Sequence, residues 1–351
     1  MLARTFVSIL ALAVLMVVHE AGHYFPARFF KMKVLKFSIG FGPTLAKYQP
    51  KGSPTVFQIA IIPFLAYVQI AGMNPFEETD PKETGLYSNA PLHARVITIM
   101  GGSVANYLVA SIFIFFGLLV GGRPEEDIRS MRVSVVQDVK KHTVLPAVAA
   151  GLKDGDKVIS VNGDTVKSWE ELPKLISKHP GEELDLVVER DSQQLHLHPV
   201  PVADGIDKGR ILIGPLHWTR QLSVREALGF AVTDPPMVVV RTIKTMGMLV
   251  TAKLRFSDLS GPPGVVKQMN EASEEGPGTL LQFIGQLSAY LGAFNLLPIP
   301  ALDGGRLLFL GIEAASRRKP DAKIEARIHA VGLIMMLALI AVVSVADIFR
   351  R

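Results

Sequence analysis

Residues 4–28 read Arg4-Thr-Phe-Val-Ser-Ile-Leu-Ala-Leu-Ala-Val-Leu-Met-Val-Val-His19-Glu20-Ala-Gly-His23-Tyr-Phe-Pro-Ala-Arg28, with Glu20 the only charge between the two arginines. An apolar run of this length approaches the ~20 residues a helix needs to cross ~30 Å of hydrocarbon. No small-x-small cleavage site follows Val18, so the run reads as a retained span and not as a removed leader. Three further stretches carry no charge: Val96–Val120, Gly276–Leu302 and Ile328–Ala346. One such run could be a buried core helix; four in 351 residues point to a multi-pass α-helical membrane protein with about four transmembrane helices.

Composition agrees. Hydrophobic residues make up 49% of the chain and charged residues only 20%, against about 25% charged in soluble domains. There is no cysteine, which excludes a disulfide framework, a thiolate-bound metal and a thiol nucleophile. The net charge of +5 is scattered and gives no footprint for nucleic acid. Basic residues collect after the first run (Arg28, Lys31, Lys33, Lys36) and between the third and fourth (Arg317, Arg318, Lys319, Lys323, Arg327). The positive-inside rule makes both loops cytoplasmic. The two termini and the segment from Gly121 to Gly276 then lie outside.

The chemistry sits inside the first run. His19-Glu20-Ala21-Gly22-His23 places two imidazoles at i and i+4, on one helix face. That spacing lets both bind one Zn²⁺, and it leaves Glu20 offset to take a proton from water. His19 is about 20 Å along a helix from Phe6, at a depth where ionisable groups are expensive unless they face protein, water or a metal. The alternative is two histidines and a glutamate solvated at the membrane boundary. Two imidazoles leave zinc short of a third protein ligand, and without cysteine the candidates are His, Asp and Glu. Asp303 ends the third uncharged run in Asn295-Leu-Leu-Pro298-Ile-Pro300-Ala-Leu-Asp303-Gly-Gly. Pro298 and Pro300 break a helix there, which is tolerated at membrane depth only beside protein or a wet cavity. Read alone, the same stretch could be a helix end capped by Asp-Gly-Gly.

Taken together, His-Glu-x-x-His in the first span and Asn-x-x-Pro-x-Pro-x-Leu-Asp-Gly in a late one resemble the site-2 protease family of intramembrane zinc metalloproteases. Gly102-Ser-Val-Ala-Asn106 resembles that family's Gly-x-x-x-Asn element, and Ser260-Gly-Pro-Pro-Gly-Val265 its Ser-Gly-Pro-x-Gly segment. Residues 133–202 resemble a bacterial PDZ domain, on Ala150-Gly-Leu-Lys-Asp-Gly-Asp156 followed by Val158-Ile-Ser-Val-Asn162-Gly163. A PDZ insert between spans two and three is similar to the bacterial members that act as regulator of sigma-E protease, here with a single PDZ domain.

The resemblance implies one Zn²⁺ per chain held by His19, His23 and Asp303, with Glu20 activating water. It implies that Asn295 contacts substrate near the metal and that Asn106 is a second polar contact; Pro298 and Pro300 join them as candidate substrate-binding residues. It places a membrane-associated β-hairpin at Gln58–Val68. The expected organisation is an N-terminal membrane core (1–120), a PDZ domain (128–205), a linker with an interfacial helix (206–275) and a C-terminal membrane core (276–351). The implied activity is hydrolysis of single-span membrane proteins within the bilayer of the cell (inner) membrane, an anti-sigma factor being one such substrate. The implied partners are a substrate transmembrane segment, a peptide end or strand at the external PDZ domain, and the lipid itself. Three readings compete: a peptidase of the same chemistry clearing signal-peptide remnants, a non-catalytic membrane-anchored PDZ receptor, and a transporter, the last weakened by the lack of an inverted repeat.

Overall fold

A computed structural model describes residues 2–74, 83–135, 145–203, 209–211, 213–251 and 261–349. Ser260, the first residue of the Ser-Gly-Pro-Pro-Gly element, lies outside them. The chain divides into two compact units, one formed by residues 1–121 with 222–351, the other by 122–221.

The first unit begins with α1 (Leu2–Phe29), followed by strands β1 (Val34–Tyr48) and β2 (Val56–Ile70) and helix α2 (Leu92–Gly121). After the second unit come α5 (Val224–Val250), α6 (Pro262–Glu275), α7 (Pro277–Asn295), α8 (Asp303–Ser316) and α9 (Ala322–Phe349). The sequence leads to four spans; among the described residues three helices, α1, α2 and α9, are long and apolar enough to cross a membrane. The third uncharged run differs because it is not one helix. It stops at Asn295 after 19 residues, runs irregularly through Pro298 and Pro300, and restarts at Asp303. A proline has no amide proton, clashes with the preceding turn, and turns its own predecessor away from the helical region. The membrane character of α9 is plain on its surface: Ile334, Met335 and Val342 are each about two-thirds exposed, and only Gly332 and Val343 are buried.

Glycines set how closely these helices cross. A Cβ on Gly22 of α1 would lie 2.2 Å from the Gly101 carbonyl oxygen of α2, and one on Gly101 would lie 2.1 Å from that of Gly22. The backbones therefore touch directly. The same holds where α2 meets α7: Gly278 faces Gly121, Gly285 faces the Ala110 carbonyl, and Gly292 faces that of Ser103. Small residues let helices approach in a setting where lipid removes the hydrophobic incentive to associate.

The expected hairpin is a folded sheet. β1 bends at Gly40 (φ +98) and Gly42 (φ +94), values open to glycine at little strain. Residues 34–39 pair with 66–70 in opposite sense (Phe37 with Val68) and with 56–59 in the same sense (Phe37 with Phe57, Ile39 with Ile59). Residues 44–48 close onto 57–60. Ala27, Met32, Val34, Ile70, Tyr87, Ala94, Ile99 and Leu310 join this sheet to α1, α2 and α8 in one apolar cluster. Helix α5, within the stretch expected as a linker, packs on α2 and α7, burying Ala227, Ala231 and Val238.

The second unit holds β3 (Arg123–Asp127), β4 (Val133–Val135), α3 (Pro146–Ala149), β5 (Lys157–Val161), β6 (Asp164–Thr165), α4 (Glu171–Ser177), β7 (Leu186–Arg190), β8 (Gln193–Leu197), β9 (Val202–Ala203), β10 (Gly209–Arg210) and β11 (Ile213–Arg220). One sheet has the order β6-β5-β7-β8 and another β3-β11-β4. Asn162 (φ 50) and Gly163 (φ 86) make the two-residue turn that joins β5 to β6, the geometry an Asn-Gly pair favours. The core is side-chain packing: Val133, Val158, Leu172, Leu184, Leu186 and Val188 are almost wholly buried. Asp156, 1% exposed, accepts two hydrogen bonds from Arg190, both 2.7 Å, and one from the Lys153 amide at 2.9 Å.

Candidate metal centre

α1 presents His19 and His23 on the face turned to α2, where they are 5% and 8% exposed. Asp303 enters from another part of the chain as the first residue of α8. The three donor atoms form a near-equilateral triangle. His19 Nε2 and His23 Nε2 are 3.2 Å apart, and each is 3.2 Å from Asp303 Oδ2. A tetrahedral zinc with bonds of ~2.0–2.1 Å has ligand–ligand edges of about 3.3–3.4 Å. Asp303 Oδ2 is buried and receives no well-directed hydrogen bond, although both imidazoles are within reach. Three lone-pair donors that face one another at these distances fit a shared cation. Among the described residues this is the group that meets metal-ligand spacing.

Backbone and amide contacts set the tautomers. His23 Nδ1 lies 2.9 Å from the Thr98 carbonyl oxygen. A carbonyl only accepts, so Nδ1 carries the proton and Nε2 keeps its lone pair for the metal. Asn106 Nδ2 lies 3.3 Å from His19 Nδ1, while Asn106 Oδ1 is buried with no partner. With the amide turned by half a revolution, His19 Nδ1–H donates to Oδ1, and Nε2 of His19 is freed as well.

Gly102 closes the back of the site. A Cβ there would fall 2.5 Å from His23 Nε2 and 2.7 Å from His19 Cε1. Any other residue would push the ligand nitrogens out of their triangle. Glu20 accepts a hydrogen bond from the Val68 backbone and lies near enough to both histidines and Asp303 to interact with their charges. The sheet thus fixes the carboxylate that the helix offers.

The other candidates are placed differently. Asn106 is fully buried against His19. Asn295 Nδ2 donates to the Leu291 carbonyl one turn back on α7, at 3.0 Å. Pro300 packs against α9, where a Cβ on Gly332 would come within 2.4 Å of it; Pro298 is exposed. Sequence reasoning does not find Thr98 or Val68, because both act through backbone atoms that any residue type supplies. Gly102 is quoted in the Gly-x-x-x-Asn element, but its role needs the α1–α2 crossing distance.

Comparison with known proteins agrees over the whole chain. A Fusobacterium nucleatum protein named as a zinc metalloprotease is 30% identical over 347 residues, 98% of each chain. A similarly named protein of Nostoc is 32% identical over 348 residues, covering 95% of this chain and 92% of that one. The regulator of sigma-W protease of Bacillus subtilis is 26% identical over 411 aligned positions, 95% of each. The family model described as peptidase family M50 matches residues 7–339, and the chain belongs to that family.

Proposed function

We propose that this membrane metalloendopeptidase, of the site-2 protease type, hydrolyses peptide bonds within the bilayer, with His19, His23 and Asp303 holding one Zn²⁺ and Glu20 as general base. One observation carries the reading: three donors from two distant elements meet at mutual distances of 3.2 Å, beside a glutamate tied to a sheet. Zinc, when bound, supplies Lewis acidity toward the scissile carbonyl and toward water. Glu20 takes the proton of the attacking water and later returns it to the departing amine. Thr98 and Asn106 hold the two imidazoles in the ligating tautomer. Gly102 keeps the space between them free of side chain.

The substrate is a membrane-spanning segment of another protein, presented in extended form because a helix hides its carbonyls in its own hydrogen bonds. The sheet of β1 and β2, with its edge at residues 66–70 next to Glu20, can take such a strand by backbone pairing. Asn295, Pro298 and Pro300 border the break before Asp303 and are the remaining candidates for contact with it. The Bacillus relative is named as a regulator of sigma-W protease, and a membrane protein that restrains a sigma factor is the substrate class proposed for this chain. α7, 19 residues and about 28 Å long, serves as a further span, giving four with the active site toward the cytoplasmic side. The second unit is read as a PDZ domain on the outer side, receiving a peptide end or strand.

Glu20→Gln is the test. It keeps the volume and the metal ligands but removes the base. Cleavage of a single-span substrate in reconstituted vesicles falls by about 10²–10⁴-fold, with zinc content unchanged. Wild-type turnover in that variant rules out the assignment. Membrane fragments that accumulate in cells carrying Glu20→Gln then name the substrate.

A further inference from the structure

Between the N-terminal ends of α2 and α9 and the inner face of α8 lies a cavity of about 640 Å³, within the ~300–1,000 Å³ typical of ligand sites. Its charged wall is Arg95, Arg306, Glu313, Lys319 and Glu325, with His329 beside them. Arg95 and Glu313 answer each other through two parallel hydrogen bonds, Nη1 to Oε2 at 2.8 Å and Nη2 to Oε1. Lys319 Nζ donates one proton to the Ser88 carbonyl at 2.6 Å and has two to spare. Arg306 makes no hydrogen bond or ion pair among the described residues; the opposite charge acting on it is Glu325.

His329 lines the same cavity. Its Nδ1 accepts the amide N–H of Ala301 at 2.9 Å. An amide N–H can only donate, so the ring proton of the neutral imidazole is on Nε2. That Nε2 is buried and has no acceptor. The cavity wall itself carries an unengaged guanidinium and a partly engaged ammonium, both donors.

We propose that this cavity binds a phosphate-bearing anion, held by Arg306 and Lys319. A guanidinium on α8 and an ammonium on the loop after it reach the cavity from different directions and suit a group with several oxygens, as phosphate has. The cavity lies where α2 and α9 begin, at the polar boundary of the spans. A lipid headgroup and a free phosphate compound share the required chemistry. Glu325, one turn before His329 on α9, is the internal competitor. The inference stands apart from the catalytic assignment, although His329 grips Ala301, two residues before Asp303.

The test uses full-length protein, delipidated in a maltoside detergent and titrated separately with inorganic phosphate and with short-chain phosphatidylglycerol, with adducts counted by native mass spectrometry. One adduct per chain is expected with at least one probe. Arg306→Gln and Lys319→Gln each weaken it by about tenfold or more, and Glu325→Gln strengthens it. Lys319 is on an exposed loop, so its loss of binding cannot be ascribed to misfolding; unchanged zinc content checks this. Phosphate binding alone identifies a soluble source, and retention of phosphatidylglycerol alone identifies the lipid. The proposal is overturned if neither probe leaves an adduct, if the adduct ignores Lys319→Gln, or if Glu325→Gln weakens it.

Discussion

The α1–α2 crossing and the second unit are held together in opposite ways. At the crossing, Gly22 meets Gly101 backbone to backbone and Gly102 backs onto the two imidazoles. Side chains are excluded there, and the donor triangle depends on that exclusion. In the second unit Val133, Leu184, Leu186 and Val188 fill the interior with side chains and leave none of their own surface exposed. The difference follows from the solvent. Apolar burial stabilises a domain in water by ~25 cal/mol per Å², but lipid tails are as apolar as leucine and give no such gain. So the membrane unit relies on close approach and the other on burial. Adding a methyl should therefore damage the first, and removing methyls should damage the second.

The largest effect is expected from Gly102→Ala. The new Cβ would overlap the space of His23 Nε2, so zinc measured by elemental analysis drops well below one per chain and proteolysis is lost, while the melting of the second unit is unchanged. Retained zinc in this variant would mean that the crossing can widen, and the contrast between the units would fall away. The mirror experiment is Leu186→Ala, which leaves a cavity in the second unit and lowers its stability by about 2–5 kcal/mol, with zinc content unaffected.

Next comes a pH effect. Burial alone would raise the carboxyl of Asp156, but the Arg190 guanidinium and the Lys153 amide outweigh it and hold it below the usual aspartate range. A carboxylate depressed on folding contributes stability above its unfolded value of ~3.9, and loses it as pH falls through the folded one. Acid unfolding of the second unit, followed by Trp169 and Trp218 fluorescence, should shift to higher pH in Arg190→Gln. The smallest effect belongs to Gly155→Ala. At φ +89, with nothing near the missing Cβ, the cost is backbone strain alone, about 1 kcal/mol.

Much of the centre was legible because helical spacing is rigid. His19 and His23 had to share a face once α1 was helical, and their depth in an uncharged run called for a partner. Asp303 was a candidate by elimination and by resemblance; its approach to within 3.2 Å of both imidazoles is a tertiary fact. The break in the third run could be read from Pro298 and Pro300. Its extent could not, since Ala301 holds φ +78 only with its amide bonded to His329 on another helix. The sheet was harder. The resemblance places a hairpin at Gln58–Val68, but the double pairing of residues 34–39 depends on a bend at Gly40 that local propensity does not announce. The contacts of Thr98 and Val68 leave no trace in side-chain chemistry.

His23 and Asp303 are separated by 280 positions (303 − 23) along the chain. At ~5–20 residues per second, a ribosome needs roughly 15–55 s to travel from one to the other. On the proposed ligand set, the histidine pair has no third ligand for that interval. The protease is then born inactive, and it acquires cutting power only when Asp303 has been translated and threaded into place.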